Sequence, residues 1–220
     1  VAVRADGTIG SRVDLYAGQQ PVGATRDRLE ISTTGRYGET RDGQSIGRLV
    51  IRDPNRHADD LVIPDVYCPL AAGDHTIAWT SLSGTVNVLD TDSGRRSRIA
   101  MPSAGDLPCY GALSADGKRL SVGTYGVPPG SGLRSVGKVY AIDLTTKRVT
   151  RIPGIGLAPN RQASMFWSGR VLVIGVPGDD RPGVVALWDT AQRNLVRVAS
   201  SRPLPPNVDV LVTQGPVPIG

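Results

Sequence analysis

The sequence has no stretch of a dozen residues with helical periodicity, which excludes a helical protein. It has no apolar run long enough to cross a bilayer as a helix. Glutamate is confined to Glu30 and Glu39, both early in the chain, so no glutamate is placed to act as half of a carboxylate pair. The two histidines, His57 and His75, fall in separate turns with no cysteine or carboxylate cluster in sequence beside either, so neither suggests a zinc site. No nucleophile elbow accompanies them to suggest a Ser–His–Asp triad. Asp90-Thr-Asp92-Ser-Gly94 begins like a calcium loop, but the later carboxylates are missing. No phosphate loop is present, and no motif requires a cofactor or metal. Lysine is limited to Lys118, Lys138 and Lys147, so the net charge of +5 rests on arginine. The arginines are scattered, as in Arg95, Arg96 and Arg98 or Arg148 and Arg151, without interleaved aromatics. They read as a solvated surface and not as a nucleic-acid interface. There is no signal sequence and the chain opens on Val1, which reads as a mature or trimmed domain from which an upstream signal or anchor could have been removed.

What is abundant is turn punctuation. The 27 glycines and 17 prolines in 220 residues are spread among valine- and isoleucine-rich runs, the pattern of many short strands. One unit recurs: a β-branched run, a polar turn opened by Asp, then a second alternating run. It appears as VAVRADGTIGSRVDLYAG from Val1, RLVIRDPNRHADDLVIP from Arg48 and TVNVLDTDSGRRSRIAMP from Thr85. It returns as KVYAIDLTTKRVTRIPG from Lys138 and VVALWDTAQRNLVRVASS from Val184. Each reads as a β-hairpin, with Asp53, Asp90, Asp143 and Asp189 folding onto their turns. The spacings between successive aspartates, starting at Asp6, are 47, 37, 53 and 46 residues, a period suited to a four-stranded propeller blade. Two further short strands fit before each hairpin, as in CYGALSADGKRLSVGTYG before Lys138.

The expected fold is therefore an all-β propeller forming a single domain over 1–220. With strands A to D counted outward from the axis, complete blades fall at 22–64, 65–102, 106–153 and 159–200. A fifth blade would pair the hairpin in 1–18 with a strand in 207–220 and close the ring without exposed edges. The alternative is a section of a six- or seven-bladed ring. The segment ALSADGKRLSVG from Ala112 resembles the Ser-x-Asp-Gly-Lys signature of TolB-type and WD40-like repeats. That resemblance covers about a fifth of the chain. It implies a propeller used for binding, with Ser114, Asp116 and Gly117 shaping the A–B turn.

Alternating strand directions put the D–A and B–C loops on one face. Unequal B–C insertions, such as 35–43 with Tyr37, 125–134 with Tyr125, and 177–182, make that face the expected binding surface. The approaches to the inner strands add Asp65, Tyr67, Asp106, Tyr110, Asn160, Arg161 and Asn207. These could form a polar ring around the channel for a protein partner or a small polar ligand. Turn capping is the competing reading of the same Asp and Asn residues. Cys68 and Cys109 each follow an Asp by three residues at equivalent inner-strand positions, so a disulfide between neighbouring blades is expected. It would place the protein in an oxidising compartment, secreted or membrane-anchored. Trp79, Trp188 and Phe166 are expected between blades, and Trp167, before the Ser168-Gly169 turn, exposed for stacking. Together these features point to a non-catalytic, extracytoplasmic binding or scaffold propeller. The alternatives are a glycan- or small-molecule-acting enzyme with Asp65 and Asp106 at the channel mouth, or a sensor domain of a larger membrane-anchored protein.

Overall fold

The computed structural model describes residues 19–24, 30–34, 40–41, 44–45, 47–53, 61–103, 106–124, 136–157, 162–176 and 183–199. Every element among them is a strand. The first unit comprises β1 (Gln19–Ala24), β2 (Glu30–Thr34), β5 (Gly47–Arg52) and the start of β6 (Leu61–Gly73). A two-stranded ribbon of β3 (Thr40–Arg41) and β4 (Gln44–Ser45) lies between β2 and β5. The second unit comprises the rest of β6 with β7 (Thr76–Ser81), β8 (Val86–Asp90) and β9 (Arg96–Ile99). The third is β10 (Pro108–Leu113), β11 (Arg119–Thr124), β12 (Val139–Asp143) and β13 (Arg148–Arg151). The fourth is β14 (Ser164–Ser168), β15 (Val171–Val176), β16 (Val184–Asp189) and β17 (Asn194–Ala199). All pairings are antiparallel between sequence neighbours, the meander of a propeller blade.

No loop separates the first two units. β6 runs from outer strand to inner strand, pairing Ile63 with Leu49 on one side and Val66 with Ser81 on the other. Asp65 makes the bend between them at φ 57°, a left-handed conformation that Asp tolerates better than most residues.

The apolar alternation of the strands fills the spaces between blades. Along β12, Tyr140 and Ile142 pack with Leu70, Ala78 and Val86 of the second unit. Val139 and Ala141 turn the other way, against Trp167, Leu172 and Trp188 of the fourth. Period-two alternation in a strand covered on both faces produces this two-sided burial. A third cluster, with Leu49, Ile63, Ile77 and Trp79, joins the first two units. Trp167 is therefore core, at 2% exposure, and not the exposed platform expected from its place before a turn. The chain approaches the Ser168-Gly169 turn from inside the blade stack, and the indole N–H is spent on the Ala112 carbonyl at 3.1 Å.

The turns repeat their chemistry. Asp90 Oδ1 accepts from the Ser93 amide, Asp143 Oδ1 from the Thr145 and Thr146 amides, and Asp189 Oδ1 from the Ala191 and Gln192 amides. Each described C–D turn is also tied to the A–B turn of its own blade: Thr91 N donates to His75 O, Leu144 N to Lys118 O, and Thr190 N to Arg170 O. In the signature segment, Ser114 Oγ donates to Asp116 Oδ1 at 2.5 Å and accepts from the Arg119 amide, while Gly117 takes φ 63°. His75 is less isolated than its sequence surroundings indicate. Its Nδ1 lies 2.9 Å from Asp92, because the two turns of one blade meet, and its Nε2 lies 3.7 Å from Asp74, its neighbour in sequence. His57, the hairpin in 1–18 and the strand expected in 207–220 lie outside the described residues.

Candidate functional site

The inner strands β1, β6, β10 and β14 are successive neighbours around the channel. β6 and β10 belong to different sheets, yet they approach closely. A Cβ on Gly111 would lie 3.5 Å from Leu70 and only 2.5 Å from the Ser121 carbonyl. At the mouth of this pair, Cys68 and Cys109 form a disulfide with their Cα atoms 4.9 Å apart.

The described residues of the expected polar ring differ in setting. Asp65 is exposed and Tyr67 half-buried. Asp106, three residues before Cys109, is only 6% exposed and points into the protein. Lys138 Nζ donates to its Oδ1 at 2.8 Å, and the Tyr140 hydroxyl donates to its Oδ2 in a short hydrogen bond. Burial, then the bond to Asp106 and its charge, push the Tyr140 hydroxyl well above the ordinary tyrosine range. Lys138 is itself anchored, its amide donating to Thr124 Oγ1 at 2.9 Å. Asp106 is thus the centre of an internal triad that ties the D–A approach to β12. Tyr110 lies across Gly123, where a Cβ would fall 2.1 Å from the ring, and its hydroxyl accepts from the Ala163 amide at 3.4 Å. It spans the gap from the third blade to the fourth. Tyr37, Tyr125, Asn160, Arg161 and Asn207 lie outside the described residues. The structure bonds the two cysteines. It places Asp65 and Asp106 in opposite settings, one in solvent and one sealed.

A concave site opens on the opposite face, where the A–B and C–D turns lie. It is a cleft of about 290 Å³ between the third and fourth blades. Arg119 and Arg148 line it from one blade, Arg170 and Arg193 from the other, over a floor that includes Trp167 and Trp188. These arginines are 22 to 74 positions apart in pairs and read as scattered along the chain. Register gathers them: Arg119 starts β11 opposite Asp143, Arg148 starts β13 opposite the same residue, and Arg170 and Arg193 sit in paired turns. The available signal was arginine recurring beside the turns of adjacent blades.

No protein family and no curated protein matches the sequence. Solved structures do match in shape. TolB from Acinetobacter baumannii aligns with TM-score 0.51 and 16% identity over 86% of this chain and 45% of that one. The acylaminoacyl peptidase of Pyrococcus horikoshii gives 0.57 and 14% over 83% and 32%. The β-propeller domain of the Trilobed protease from Pyrococcus furiosus gives 0.54 and 12% over 87% and 59%. The chain spans less than two thirds of each of these chains. At such identities the likeness concerns architecture alone: the chain has a β-propeller fold, similar in shape to TolB and to the propeller domain of the Trilobed protease.

Proposed function

We propose that the chain is a non-catalytic binding or scaffold propeller that works outside the cytoplasm. It would meet a protein partner or small polar ligand on the face formed by its D–A and B–C loops. The observation that supports this most is the state of Asp106. A catalytic carboxylate at the channel mouth needs a free oxygen facing substrate. Both oxygens of Asp106 are already held, by Lys138 and Tyr140, and Asp65 stands apart in solvent. The mouth is built for rigidity, with the disulfide joining the two inner strands and the buried triad tying the approach to β10 onto β12. A disulfide joining the only two cysteines is also what an oxidising compartment selects.

Site-specific photocrosslinking in the source cell tests the face. A benzophenone side chain is placed at Tyr67 or Ser83 on the proposed face, and at Lys118 or Thr146 on the other. Adducts from positions 67 and 83 alone are expected. Adducts from positions 118 and 146 alone would overturn the assignment. Alkylation of the native protein tests the compartment. Cys68 and Cys109 should resist labelling until reduced; free thiols in protein isolated under thiol-trapping conditions would remove the case for export.

A further inference from the structure

We propose that the cleft between the third and fourth blades binds a small molecule carrying two or more anionic groups, carboxylate or phosphate. The site is distinct from the loop face, since it opens among the A–B and C–D turns. Four arginines line it from two blades, and they differ in commitment. Arg119 Nη1 lies 3.4 Å from Asp116, and Arg170 Nε donates to Asp189 at 3.2 Å. Arg148 and Arg193 have no acidic partner among the described residues.

The nearby acids Asp116, Asp143 and Asp189 are one fewer than the four arginines, so the cleft keeps a positive excess. Asp143 lines the cleft and keeps its charge, but its Oδ1 accepts from the Thr145 and Thr146 amides and it forms no ion pair with Arg148 or Arg193. Asp116 and Asp189 are engaged by the other two arginines. The positions are also fixed by backbone. Arg148 and Thr150 share a face of β13, being two residues apart in a strand. Arg193 sits at φ 51° in a turn whose amide donates to Asp189 O at 2.8 Å. Thr150 and Thr190 add hydroxyls to the wall.

Planar guanidiniums that bracket a space favour bidentate contacts to carboxylate or phosphate oxygens. At roughly 30 Å³ per water, the cleft volume suits a ligand of about ten non-hydrogen atoms.

Calorimetric titration of the full chain with citrate and with pyrophosphate, at physiological ionic strength, tests this. Saturable one-to-one binding of at least one probe is expected. Binding of citrate alone assigns a carboxylate ligand, and of pyrophosphate alone a phosphate ligand; either upholds the site. The R148Q/R193Q variant should bind about 100-fold more weakly, tenfold for each guanidinium, with its unliganded melting temperature unchanged because both side chains are exposed. An R95Q/R96Q variant, altered in the second blade, should bind as the parent does. Absence of saturable binding of both probes would overturn the proposal. So would R148Q/R193Q binding like the parent, or R95Q/R96Q weakening binding equally, which would mark diffuse surface charge.

Discussion

Replacing both cysteines, as C68A/C109A, should cost the protein about 4 kcal/mol. The two residues are 41 positions apart, and the bridge encloses nearly the whole second blade. Cross-linking a loop of that size removes roughly 13 cal/mol/K of entropy from the unfolded chain, which is about 3.9 kcal/mol at room temperature. For a domain of this length each kcal/mol moves the melting temperature by about 2–4 °C, so a fall of about 8–16 °C is expected. The native side should change little, because β6 and β10 also pack through Leu70 and Gly111. The assay is denaturant unfolding of the parent and the variant, with and without reductant. The midpoint should fall in the variant, and reductant should lower the parent to the same value while leaving the variant alone. An unchanged midpoint in C68A/C109A would refute the reasoning: the unfolded state would then be compact enough that the bridge constrains nothing.

The buried triad makes its own predictions. Asp106→Ala should destabilise by about 3 kcal/mol, because Lys138 and the Tyr140 hydroxyl lose their partner in a nearly sealed site. Chemical unfolding checks this. The raised Tyr140 ionisation has a definite sign: its stabilisation is complete below the unfolded tyrosine value near pH 10 and is lost as pH rises beyond it. Melting temperatures should therefore drop in strong alkali in the parent and less in Tyr140→Phe. At the acid end, Ser93 holds the Asp90 carboxyl below its ordinary value, through its amide and then its hydroxyl, and the Ser114 hydroxyl does the same for Asp116. Their stabilisation is present above about pH 4 and is lost as pH falls through the lowered values. The acid limb of a pH–stability curve should be shallower in S93A/S114A. Gly123→Ala should cost about 2–3 kcal/mol by driving a methyl into the Tyr110 ring, and much less in a Y110A background, as a double-mutant cycle would show.

The fold was legible wherever local chemistry repeats. An aspartate opening each C–D turn is a short-range instruction, and Asp90, Asp143 and Asp189 all carry it out on their own turn amides. The Ser114-Asp116-Gly117 turn was legible for the same reason. The disulfide could be expected because two cysteines occupy equal places on neighbouring repeats. What failed to show in the sequence depends on contacts across blades. Asp106 finds Lys138 and Tyr140 more than thirty residues away, so its pattern at a strand approach gave no sign of burial. Trp167 is covered by the preceding blade. The arginine cleft exists only because strand register carries positions from two repeats to one place. Pro64 and Asp65 read as a break between blades, whereas the backbone passes through them as one bent strand.

That bent strand has a consequence for how the molecule comes apart. The first two blades share a single hydrogen-bonded ladder of seven strands, while the third and fourth each have their own. Cooperative unfolding follows continuous ladders and the cores they carry. The first two blades should therefore open as one unit and exchange their amide hydrogens together. The Cys68–Cys109 bridge then acts as a hinge pin between that pair and the third blade. It would keep the blades in order around the axis even while one of them is transiently open.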